Sequence, residues 1–375
     1  MTTMRCVAVL TACAGFTPSL LAGTVPQPPG GHWANEHLGA WRPDQPDFGL
    51  EFATVTHPGN RPANASERRF PQSTTVLKPD LGRVDYAYRI STTEVSASQW
   101  LPFFFAILPH YQAVGGSGLD NPLQSDHIEL GGPLGFELQR GAERSAVRVG
   151  WEFAARYCNW LHNGAPTGAD ATLEVFQTGA YDMPALSANA DQAYMPMTRN
   201  ADARYWLPTL DEWVKAAHYD PDRYGEGQEG YWLRMGGQDE ELVGGLPWQG
   251  GQTTTGEPFP FPEGTDPDTI PVAAYGVTSP WGLFDTSGQE SEWTETAGAF
   301  FGYEDQNPEF RYVVGSGNTT PSFFFDTIDG HIFASPLGDL IGATTSGFRI
   351  ASAIPSPAAG GVLLLGAMHA ARRRR

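Results

Sequence analysis

Cysteine is almost missing from this 375-residue chain: there are three, and two of them, Cys6 and Cys13, fall in its first segment. The one thiol left, Cys158, makes no intramolecular disulfide. Charge is scarce too, at 17% of residues against roughly a quarter in an average domain. Acids outnumber bases 42 to 23, for a net charge of −19, and no basic cluster precedes the four terminal arginines. That excludes nucleic-acid binding, which needs concentrated positive surface. The nine histidines lack His-x-x-x-His pairing, so no zinc or non-haem iron site is readable. There is no Gly-x-Ser-x-Gly elbow. Asp285-Thr286-Ser287-Gly288 has no second copy to complete an aspartic dyad. Gly115-Gly116-Ser117-Gly118 lacks phosphate-loop spacing.

What is abundant is glycine (44) and proline (31), together one residue in five where about 12% is usual. Eleven tryptophans and 21 phenylalanines rule out disorder, since disordered chains lack aromatics. A compact, loop-rich fold with an aromatic core follows. Residues 1–23 hold one early arginine, an apolar run from Val7 to Phe16 and small residues near Ala22, the pattern of an export signal. Leu10-Thr11-Ala12-Cys13 also fits a lipoprotein cleavage box. Residues 24–48 are an irregular lead-in to a body over 49–353, and 354–375 form a separate tail. Ala358 to Ala371 would span only about 21 Å as a helix, short of a roughly 30 Å bilayer core. The arginines after it stay on the cytoplasmic side.

Within the body, Leu50 to Val55 and Val84 to Ile90 alternate as strands. Ser96-Ala97-Ser98-Gln99 is a capping box opening a helix with Trp100, Phe103 and Phe104 inward, which Pro102 is expected to kink or shorten. Residues 115–141 read as loop. Trp151 to Leu161 is a helix with Trp151, Ala154, Ala155, Cys158 and Leu161 on one face, stopped at Asn163-Gly164; Cys158 there reads as a core residue. Thr209 and Glu212 have capping-box spacing before a stripe of Leu210, Trp213, Val214 and Ala217. Residues 220–267 form a long insertion without periodicity, with Asp239-Glu240-Glu241 as a solvated acidic face. Val272 to Tyr275 and Phe310 to Val314 read as strands.

The chain is organised around Ser279-Pro280-Trp281-Gly282-Leu283-Phe284-Asp285-Thr286-Ser287-Gly288-Gln289-Glu290-Ser291-Glu292-Trp293. Rings buried beside carboxylates require those carboxylates to be hydrogen-bonded or metal-bound. Asp285 and Glu292 can offer side-chain oxygens to a calcium ion, and Gly288 and Glu290 backbone carbonyls. The alternative is that the two acids hydrogen-bond backbone amides of the turn.

Five ordered stretches, Tyr88 to Trp100, Trp151 to Trp160, Trp206 to Ala217, Trp281 to Trp293 and Gly347 to Ala351, resemble motifs of the sulfatase-modifying-factor family, which includes the formylglycine-generating enzymes. The resemblance implies an α+β, irregular, loop-rich, C-type-lectin-like fold. It also implies that Asp285, Gly288, Glu290 and Glu292 match the family's calcium pattern. Family oxidases carry two copper-binding cysteines, three and eight residues after the Ser of a Gly-Gly-Ser strand end. The matching end here is Val314-Gly315-Ser316, and those positions hold Thr319 and Phe324, neither of which supplies a thiolate. Ser291 stands where the family has tryptophan. No catalytic residue is assigned. The tail resembles a PEP-CTERM sorting segment, with Ser356 in place of its usual Glu, which implies an exosortase-type partner. The resulting expectation is an exported, surface-associated protein that binds an unknown surface or matrix ligand. The alternative is an enzyme of the same family with a divergent active site.

Overall fold

A computed structural model describes residues 28–69, 80–117, 123, 125–188, 198–255, 261–262, 265–298, 307–318, 326–329, 333–336 and 345–355. The expected export signal, nearly all of the sorting tail, and both Thr319 and Phe324 lie outside the described residues.

Strand β1 (Phe52–Val55) runs antiparallel to β2 (Tyr88–Ser91), with Val55 opposite Tyr88. The second strand is shorter than its alternation suggests, because residues 80–87 turn and bend. Helix α1 (Ala97–Ala113) follows, and Ser96 and Gln99 close the capping box reciprocally. Pro102 lies inside this helix, which continues past it to Ala113 and so is not shortened there. The missing backbone bond is offset by a face on which Trp100, Phe103, Phe104 and Ile107 are fully enclosed. Residues 115–141 are not all loop: β3 (Ile128–Leu130) and β4 (Phe136–Leu138) form a hairpin. Three residues per strand are too few to show a period of two.

Helix α2 (Trp151–His162) buries the predicted stripe and ends at Asn163. A short α3 (Leu173–Gln177) packs beside it. Strand β5 (Tyr205–Trp206) leads to α4 (Leu210–His218), which begins at the Thr209–Glu212 capping box. The long insertion contains one small pair, β6 (Tyr219–Asp220) with β7 (Gly230–Tyr231), and its Asp239, Glu240 and Glu241 are exposed. Val272 to Tyr275 is not a strand. Ala273 adopts φ 57° there, and its amide is taken by Asp285 Oδ2 instead of by a sheet.

Strands β8 (Glu292–Gly298), β9 (Asn307–Val314) and β10 (Phe333–Pro336) form a sheet in the order β10-β9-β8. The closing strand β11 (Ala351–Ser352) lies between β2 and β5 in the order β1-β2-β11-β5. It is shorter than the Gly347–Ala351 stretch suggests, because Ser346 and Gly347 make isolated bridges to Val149 and Glu292. The core is aromatic: Trp100, Phe103, Tyr157, Trp160 and Phe348 pack with ring centroids 4.6–5.8 Å apart. The lead-in is irregular but docked, since Trp41 stacks on Trp160 at 5.2 Å and on Phe48 at 5.6 Å. The α+β, irregular, loop-rich architecture is the one expected. Among the described residues no helix is long and apolar enough to cross a membrane.

Candidate functional site

The turn from Ser279 to Trp293 lies between the two sheets and is held from both ends. Its start is a tight bend closed by Gly282 N to Ser279 O (2.9 Å) and Ser279 N to Leu283 O (2.8 Å). Phe284 N then donates to Thr92 O (2.8 Å), joining the bend to the end of β2. Its far end opens β8, where Trp293 Nε1 donates to Val149 O (2.8 Å). Between these anchors three non-extended positions reverse the chain: Asp285 (φ 53°), Gly288 (φ 88°) and Gln289 (φ 54°). Only glycine fits at 288, because a Cβ there would fall onto Thr253 Oγ1 and Thr254 Oγ1.

The acids of this stretch have different environments. Glu292 is fully buried, and both its oxygens are engaged. Arg349 Nη2 donates to Oε1 (2.6 Å), while Arg349 Nε (2.7 Å) and Trp213 Nε1 (2.8 Å) donate to Oε2. Oε1 accepts a single bond and keeps a lone pair. Asp285 Oδ2 accepts from Ala273 N, whereas Oδ1 has no partner among the described residues. Burial pushes its carboxyl up to about 6, the Ala273 amide offsetting part of the shift. Glu94 is buried beside them. Its Oε1 accepts from Glu290 N (3.0 Å) and its Oε2 has no partner among the described residues. Burial, reinforced by Glu292 and Asp285, pushes that carboxyl well above its usual range. Asp285 also borders a cavity of about 10 Å³, room for one small guest, which Tyr275, Thr286 and Ser287 help to line.

Hard oxygens suit calcium, and the free oxygens of Asp285 and Glu94 fit that chemistry. Among the described residues, however, no three His, Cys, Asp or Glu side chains surround one cation position. A calcium ion would therefore depend on backbone carbonyls such as those of Gly288 and Glu290.

Behind the turn lies a buried hydroxyl network that sequence reasoning missed. Ser316 Oγ and Ser287 Oγ (2.9 Å) donate to the two oxygens of Asp326, and Thr255 Oγ1 adds a bond at 3.3 Å. Thr253 Oγ1 lies 2.9 Å from Ser287 Oγ, and Gln289 N donates to Thr254 Oγ1 (2.6 Å). Ser316, at the strand end where the family resemblance places chemistry, is thus fully buried with its hydroxyl committed. In front of the turn, Glu290 faces Arg148 Nε at 3.3 Å, and Arg148 Nη1 lies 3.7 Å from Asp126. Burial pushes the Glu290 carboxyl well up, with Arg148 opposing it. Ser291 is half-buried beside Gly317, where a Cβ would sit 3.5 Å from Ser291 Oγ. Asp268 accepts from Asn318 Nδ2 on the same side. Glu94, Arg148, Asp326 and Arg349 have no local sequence signal; each meets its partners across long stretches of chain.

Burial pushes the Asp326 carboxyl up to about 6, against three hydroxyl bonds that favour the ionised form. Its folded pKa exceeds the unfolded value near 3.9, so the native state keeps a proton that the unfolded chain gives up. This group's contribution to stability is therefore complete at low pH and is lost as pH rises from about 4 to about 6. Urea unfolding at pH 4.5 and pH 7 should show a loss smaller by roughly 2 kcal/mol in Asp326→Asn than in the wild type. Equal losses in the two proteins would show that Asp326 does not titrate as described.

No curated protein matches the chain. Among the solved structures similar over most of it are the following three. CarF is 18% identical, covering 82% of this chain and 99% of its own, with a TM-score of 0.45. Variable protein 1 of Treponema denticola is 19% identical, covering 81% and 95%, at 0.47. PvdO from Pseudomonas aeruginosa is 13% identical, covering 83% and 97%, at 0.40. Residues 45–353 match the sulfatase-modifying factor enzyme 1-like domain, and the chain belongs to that family.

Proposed function

We propose that this chain is an exported member of the family that binds a ligand at the face of its central turn and does not oxidise cysteine. The observation that carries the reading is the state of its thiols. Cys158 is fully enclosed on α2 among Trp160, Tyr157 and Leu161, and burial pushes its thiol well above the usual range. Cys6 and Cys13 belong to the export segment, and Thr319 and Phe324 occupy the positions of the family's cysteine pair. A copper oxidase needs accessible thiolates, and none is supplied here. Incubation of the purified protein with a sulfatase-type cysteine peptide and copper should leave the thiol intact by mass spectrometry. Aldehyde formation would overturn the reading.

The N-terminal apolar run and the tail from Ile354 support a location outside the cytoplasmic membrane, with the tail acting as a transient anchor read by an exosortase-type enzyme. Cell fractionation with a tag placed before Ile354 should recover the body in the membrane or extracellular fraction. Recovery from the cytoplasm would exclude this.

Calcium is the proposed structural ion. Asp285 and Glu292 would hold it with side-chain oxygens, and Gly288 and Glu290 with carbonyls; the free Glu94 Oε2 lies in the same acidic cluster. The ion's role would be to offset the charge of Asp285 and Glu94, whose ionisation burial opposes. An ion at a hundred times its Kd adds about 2.7 kcal/mol, which in a domain of this size raises Tm by roughly 4 °C. Chelation should lower the wild-type Tm by that amount and leave Asp285→Ala nearly unchanged. No shift on chelation, together with no calcium by elemental analysis, would remove the site.

A further inference from the structure

Four segments far apart in the chain meet in front of the turn and leave an excess of acceptors. Asp126 and His127 come from the loop before β3, and Arg148 from the approach to α2. Asp266 and Asp268 come from the loop before Ile270, and Asn318 from the end of β9. Asp266 is fixed by accepting from Asp268 N (3.1 Å). Asn318 is 6% exposed. Because the carboxylate of Asp268 can only accept, the nitrogen of the Asn318 amide must face it. That leaves Asn318 Oδ1 as a buried acceptor with no partner among the described residues. His127 is 3% exposed, and its Nε2 lies 3.1 Å from Ala146 O. A carbonyl only accepts, so Nε2 carries the proton and Nδ1 is a bare lone pair, again without a partner among the described residues. Arg148, between Asp126 and Glu290, is the arginine that faces these groups.

We infer that this cluster takes an organic cation rich in N–H donors, an alkylammonium or guanidinium group, which would meet Asp268, Asn318, His127 and Asp126. The inference rests on the ligand-binding reading above and names the ligand's chemistry. Of the three open valences here, Asn318 Oδ1 and His127 Nδ1 are acceptors, while the one donor, Arg148 Nε, is already drawn to Glu290 at 3.3 Å, so the missing partner is a donor. Three aspartates against one arginine favour a cation. No three acidic, thiol or imidazole side chains meet at one point here among the described residues, and an imidazole nitrogen is a poor ligand for a hard cation such as calcium, which takes oxygen. An ammonium or guanidinium instead distributes three to five N–H groups over a wider span.

Titration calorimetry of the full chain with n-butylammonium, with methylguanidinium, with calcium and with neutral butyramide tests this. At least one organic cation should bind, more weakly at higher salt, and butyramide should not. Asp268→Asn should weaken binding roughly tenfold. Asp126→Asn, at an exposed position, should weaken it less, with unchanged melting showing that it is folded. No binding by either organic cation, binding indifferent to both substitutions, or binding of calcium at this cluster instead would overturn the inference. Aldehyde formation in the peptide assay would remove the wider reading while leaving the calorimetry result standing, so the two failures are distinguishable.

Discussion

The fold depends on one buried ion pair. Arg349 and Glu292 are both essentially unexposed, and their bidentate contact is the strong geometry for this pair. The same guanidinium also donates to Ser91 O (3.1 Å), Thr92 O (3.4 Å) and Phe284 O (3.2 Å). One side chain therefore joins the segment before β11, the end of β2, the central turn and the start of β8. Burying two charges gains little over an apolar pair, but removing one partner costs about 3–5 kcal/mol because the other is left bare. In a chain with no disulfide among its described residues, such a junction specifies how irregular segments meet.

That junction brings more acid into the interior than it neutralises. Arg349 offsets Glu292 directly, while Glu94 and Asp285 stand behind it with one unpartnered oxygen each among the described residues. The outcome is that burial pushes the Glu94 carboxyl well above its ordinary range and that of Asp285 up to about 6. A globular protein ordinarily avoids this, because an unpaired buried acid is costly. Leaving two such groups beside a turn that already requires left-handed backbone at Asp285 and Gln289 places local strain and unmet polarity at one location, which is where functional sites concentrate.

How much of this was legible follows the range of each interaction. The Ser96–Gln99 and Thr209–Glu212 capping boxes were readable because their partners are three residues apart. The α2 stripe was readable because its period is 3.6. Pro102 was legible only in part: its local penalty was visible, and the aromatic packing that lets the helix run on to Ala113 was not. Val272 to Tyr275 misled in the opposite way: a β-like run was diverted by Asp285, 12 residues on from Ala273. Glu94 meets the Glu290 amide across 196 residues, and Arg349 meets Ser91 across 258. Nothing local marks either, so only the family motifs pointed to them. His127 and Asn318 lie in no motif, and their open valences exist only once four segments have converged.

Glu290 connects the two sides of the turn. Its amide is held by Glu94 on the inner side, and its carboxyl faces Arg148 on the outer side. A cation at the outer cluster would compete for Asp126 and so leave Arg148 more fully to Glu290, favouring the ionised carboxylate there. An ion on the inner side would draw on the Glu290 carbonyl and on the acids around Glu94. Both events would reduce the excess negative charge around one residue, so their binding free energies would be linked, and linkage of this kind is reciprocal. Because both proposed sites would draw on Glu290, such linkage would act through that residue and would need no change of fold.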